Sequence, residues 1–133
     1  MFERVLLAVD GSEHSKKAVA AAGEIARNSK GEVYVLHIHE VGVIAPLETS
    51  KEAQDLVNGM VEELQQAGVK AKGEAIAEPP GRAAPSIVEA AKSLGSGLIV
   101  MGTRGLSDFA GLLMGSVAHK VIHHAECPVL VVR

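Results

Sequence analysis

A chain of 133 residues, 47% apolar and 22% charged, has the size and balance of one globular domain with a real core. A net charge of −3, the lack of any basic run or tryptophan, and only one tyrosine and two phenylalanines argue against nucleic-acid binding, which uses basic grooves and aromatic stacking. The lone cysteine, Cys127, forms no internal disulfide, no signal peptide is visible, and no apolar run approaches the ~20 residues of a membrane span, so a cytoplasmic protein with no membrane partner is expected.

The first apolar run, Val5–Val9, closes on Asp10-Gly11-Ser12. Helix 1 follows, with Ala18, Ala22, Ile25 and Ala26 on one face. The second run is Val33–Ile38, and His37 and His39 share one face there as edge or cleft residues. Beyond the loop Glu40–Glu48, Thr49-Ser-Lys-Glu52 is a capping box, in which two side chains satisfy free backbone N–H groups. Helix 2 then turns Leu56, Met60 and Leu64 inward and stops at Gly68. A weaker, partly charged third run spans Ala71–Ala77 and leads into the loop Glu78-Pro-Pro-Gly81. Helix 3 has Pro85 near its start and Ile87, Val88, Ala91 and Leu94 inward. The fourth run is Leu98–Met101. Helix 4, Val117–His124, packs Val117, Val121 and Ile122 inward and ends before Pro128, and the fifth run is Val129–Val132.

Runs 1, 4 and 5 are continuous and do not alternate, as strands buried on both faces read. Strands alternating with helices predict an α/β fold: a doubly wound, five-stranded parallel sheet with four helices, in a single domain over residues 1–133. A strand order of 3-2-1-4-5 places the ligand crevice beyond the carboxyl ends of strands 1 and 4. Those strands end at Asp10 and at Gly102, the latter opening a glycine-rich stretch that leads to Gly115 and helix 4. Glycine lets backbone N–H groups approach an anion and reaches φ > 0 cheaply, and a helix N-terminus attracts negative charge. The pattern points to a nucleotide or another phosphate ligand.

Three segments carry a resemblance: Val5-Leu-Leu-Ala-Val-Asp10-Gly-Ser12, Leu98-Ile-Val-Met-Gly102-Thr-Arg-Gly105, and Gly115-Ser116-Val117 through Cys127-Pro-Val-Leu-Val-Val132. Together they resemble the universal stress protein family along the whole chain. The spacing of Gly102, Gly105, Gly115 and Ser116 matches the family's ATP-binding branch, which carries Gly, two residues, Gly, nine residues, then Gly with Ser or Thr. The resemblance implies a flavodoxin-like, adenine nucleotide alpha hydrolase-like fold that binds ATP, with Mg²⁺, and acts in the stress response. It implies Ala8, Val9 and Ile38 near the adenine and Asp10 at the ribose or at a phosphate-bound metal. Met101, Gly102 and Gly105 belong to the same nucleotide-binding set, with Arg104 supplying charge inside the turn. Gly115, Ser116 and Val117 would hold the terminal phosphates. Two departures stand out: the nine-residue gap Leu106–Met114 holds no base and one acid, Asp108, and Gly97 stands where the family commonly has Asp.

Each site residue also has a plainer role. Asp10, alone or with Ser12, caps helix 1, and Ser116 caps helix 4. His119 and His123 stand one turn apart as zinc ligands can, but no HExxH accompanies them, and solvated histidines, His124 included, are the simpler reading. Cys127 reads as a buried structural thiol. There is no GxxxxGK[ST], no GxGxxG, and no nucleophile–base pair that falls in one site. Three readings stay open: a nucleotide-binding regulatory module, a slow ATPase or phosphoryl-transfer enzyme using the same site, and an interaction protein with a vestigial site. Strand 5, Val129, Leu130, Val131 and Val132, would leave an apolar outer edge that a homodimer covers.

Overall fold

The computed structural model describes residues 1–41, 49–103 and 114–133. In chain order the elements are β1 (Arg4–Val9), α1 (Glu13–Ser29), β2 (Glu32–Glu40), α2 (Ser50–Gln66), β3 (Lys70–Glu78), α3 (Ala83–Leu94), β4 (Leu98–Gly102), α4 (Ser116–His124) and β5 (Val129–Val132). The strands form one sheet in the order β3-β2-β1-β4-β5. Every pairing is parallel. The predicted topology is the observed one.

Side-chain alternation splits the core in two. Val5, Leu7, Val9, Val33, Val35, Leu98 and Val100 face α1 and α2, where Ala18, Val19, Ala22, Val57, Met60 and Leu64 meet them. Leu6, Ala8, Leu36, Ile99 and Met101 face α3 and α4, against Ala84, Ile87, Ala91, Ala118 and Val121. Covered on both faces, β1 and β4 need apolar residues at successive positions, which is why they read as continuous runs. Burying each large aliphatic side chain contributes about 1.5–3 kcal/mol.

The helix boundaries follow their caps. Ser12 caps α1 by accepting from Ser15 N–H at 3.2 Å. The Thr49 capping box is present, with Glu52 N–H donating to Thr49 Oγ1 at 3.1 Å and Thr49 N–H to Glu52 Oε2 at 3.4 Å. Gly95 closes α3 at φ +65°, where a side chain would be strained.

Several expected details differ. β3 is longer than the Ala71–Ala77 run and pairs with β2 from Lys70 to Glu78. As an edge strand with one open face it carries charge, which masks it in a search for apolar runs. His37 and His39 are not edge residues, because β2 lies inside the sheet and both are only 4% exposed. The inner face of α4 is Ala118 and Val121; Ile122 is 41% exposed rather than packed inward. On α2 the buried set is Ala53, Val57, Met60 and Leu64, with Leu56 only partly covered. On α3, Val88 and Leu94 are likewise partly covered.

Candidate functional site

The carboxyl ends of β1 and β4 lie side by side, with Ala8 paired to Met101 as the last register pair. Beyond that pair the chain leaves β1 through Asp10 and β4 through Gly102 and Thr103. The strand order reverses direction here, and α1 and α4, the helices that follow the two strands, pack on opposite faces of the sheet, the arrangement in which α/β sheets form a ligand crevice.

On the β1 side, hydrogen bonds fix the Asp10 turn. Asp10 Oδ1 accepts from Ser12 N–H at 2.9 Å, and Asp10 N–H donates to Ser15 Oγ at 2.8 Å. Ser12, not Asp10, is the cap of α1. Asp10 instead organises the turn that leads into that cap and stays half-buried at the crevice. Val9 ends β1, and its carbonyl accepts from His37 Nδ1 at 2.8 Å. That bond ties β1 to β2 beside half-buried Ile38.

On the β4 side, Gly102 is explained by packing. A Cβ there would lie 2.6 Å from His14 Cβ and 2.9 Å from the His14 carbonyl carbon. Neither Gly102 nor Gly115 uses the left-handed region. The conformational argument therefore applies to neither, and at Gly102 close approach takes its place. Thr103, 6% exposed, donates its N–H to Val132 and accepts from Gly115 N–H at its carbonyl. Its Oγ1 lies 2.7 Å from His14 Nδ1.

Gly115 is the cap of α4 and brings no side-chain bond to it. Ser116 is the first helical residue and is exposed, so it is not the cap, and Val117 is half-buried. The opening N–H groups of a helix have no partner within it, and among the described residues no cap side chain occupies them here. This end of α4, fastened to the end of β4 through Thr103, is suited to an anion. Arg104, Gly105 and the gap up to residue 113 lie outside the described residues.

Ala8, Val9, Asp10, Ile38, Met101, Gly102, Gly115, Ser116 and Val117 thus fall at the carboxyl ends of β1, β2 and β4 and the start of α4. The structure adds His14 and Thr103, which the sequence reading missed. Their contact joins residues 89 apart, so no local pattern announces it. His119, His123 and His124 are exposed on α4. Among the described residues, no group of three or more His, Cys, Asp or Glu is placed to hold a metal ion. Cys127 is partly buried, and that burial pushes its thiol pKa up, against thiolate formation. Among the described residues, no helix is long and apolar enough to cross a membrane.

The model of the universal stress protein family matches residues 1–133. A universal stress protein of Bacillus subtilis, YxiE, is 32% identical over 151 residues, covering 100% of each chain. Among solved structures, the Archaeoglobus fulgidus universal stress protein in complex with dAMP is 25% identical at TM-score 0.79, covering 100% of this chain and 98% of its own. A universal stress protein in complex with cAMP is 26% identical at TM-score 0.76, covering 99% and 97%.

Proposed function

Because this chain belongs to the universal stress protein family, we propose that it is a regulatory module of the stress response that binds an adenine nucleotide, ATP with Mg²⁺, in the crevice between β1 and β4. The observation that carries this reading is the start of α4. Among the described residues no side chain caps its opening N–H groups, and they are held beside the end of β4 by the bond from Gly115 to Thr103. Polyphosphate there meets N–H donors and the positive end of the helix dipole. Ser116, Val117 and Arg104 complete the phosphate contacts. Asp10 takes the ribose or the phosphate-bound metal, and Ala8, Val9, Met101 and Ile38 line the base. The dAMP and cAMP complexes of similar chains support an adenine nucleotide as the ligand class.

In this reading occupancy is the signal and turnover is not needed. Phosphoryl transfer draws on a lysine or metal clamp and a positioned base, and the gap Leu106–Met114 supplies no lysine or arginine. The module acts as a homodimer in the cytoplasm. β5 is the outer strand, Leu130 and Ile122 are 38% and 41% exposed, and pairing of two β5 strands covers that edge. The experiment is to release and identify any small molecule carried by the purified protein, then to titrate it with Mg·ATP by calorimetry. Saturable binding that Gly115→Val abolishes in a folded variant supports the reading. No nucleotide and no heat refute it.

A further inference from the structure

Thr103 is fastened on three sides. Its N–H holds the end of β5, its carbonyl holds the cap of α4, and its hydroxyl meets His14 on the first turn of α1. Gly102, just before it, is in such close contact with His14 that a Cβ has no room. α1 begins at the Asp10 turn, so this side-chain contact ties the end of β4 to that turn's helix.

We infer that the His14–Thr103 hydrogen bond is a clasp, and that His14 is a positioning residue holding the start of α4 in register with the Asp10 turn so that a nucleotide meets one preformed site. The inference rests on the adenine-nucleotide reading. Thr103 is buried, so removing His14 takes a hydrogen-bond partner from a buried residue's hydroxyl. Without the clasp, Thr103 still pairs through its backbone, but the start of α4 that it holds is no longer tied to α1 by a side chain of Thr103. Binding must then order it, and that cost appears as lost affinity.

The test uses four variants of the full chain. Thr103→Val keeps the shape and removes the hydroxyl, and Thr103→Ser keeps the hydroxyl. His14→Ala removes the imidazole, and His14→Asn keeps a polar atom near the place of Nδ1. Calorimetry with Mg·ATP and with AMP gives affinity, thermal unfolding gives Tm, and hydrogen exchange of the Gly115 amide reports how firmly the start of α4 is held to Thr103. The clasp predicts about tenfold weaker binding for Thr103→Val and His14→Ala, the size expected of one buried hydrogen bond. It predicts rescue in Thr103→Ser and His14→Asn, and faster exchange at Gly115 in the two disrupted variants. A loss of Tm without these changes marks a merely structural bond and overturns the inference. Unchanged affinity in Thr103→Val overturns it while the functional reading stands. If the wild-type protein binds neither nucleotide, the functional reading falls, and unchanged Gly115 exchange then refutes the clasp by itself.

Discussion

Gly102→Ala puts a methyl carbon 2.6 Å from His14 Cβ and 2.9 Å from the His14 carbonyl carbon. Carbon atoms settle at about 3.5–4.0 Å, so β4 and α1 must part by roughly 1 Å. The colliding atoms belong to the backbone and its first side-chain carbon, which cannot swing aside. Overpacking of this kind costs about 1–3 kcal/mol. For a chain of this size each kcal/mol lowers Tm by roughly 3–5 °C. Gly59→Ala is the matched control. Gly59 lies within α2, and an added Cβ meets nothing within 4 Å. Alanine there removes the glycine penalty and stabilises by about 1 kcal/mol. Urea and thermal unfolding of both variants should move in opposite directions. A Gly102→Ala protein as stable as the wild type would refute the close packing of α1 against β4.

Thr49→Ala breaks the capping box at the start of α2 and is expected to cost about 1 kcal/mol in urea unfolding, with Thr49→Ser close to wild type. The sole tyrosine, Tyr34, has its phenol pushed from 10.0 up to about 12 by burial and then by its hydrogen bond to Glu74. The fold therefore favours the neutral phenol: that stability is full below pH 10 and is lost as pH rises towards 12. Absorbance titration should show the phenolate forming later in the folded chain than in urea, and Tyr34→Phe should soften the alkaline loss. Leu130→Lys adds a charge to the exposed edge of β5 and is expected to give monomers in sedimentation at micromolar concentration with Tm little changed.

The strand order, and with it the meeting of the β1 and β4 carboxyl ends, was legible because both strands are buried on both faces and announce themselves as unbroken apolar runs. The capping box was equally plain, since both its partners lie within four residues. The long edge strand β3 was legible only in part, because charge on its open face hides its period. The wrong face assigned to Ile122 has a similar origin: on a nine-residue helix, small Ala118 does the packing, and an apolar residue beside it is easily taken for the contact. Asp10 and Ser12 are both good caps, so type alone did not decide which one serves; the bond from Ser15 does. His14 and Thr103 were invisible because their meeting depends on how α1 lies along β4.

The most direct measurement of the central claim is a map of backbone amide chemical shifts as Mg·ATP is added. The account predicts saturable changes at Asp10, Gly11, Ser12, Gly102, Ser116 and Val117. Amides at the opposite ends of the strands, such as Glu32 and Lys70, should hold still. An absence of saturable change, or changes confined to those opposite ends, would contradict it.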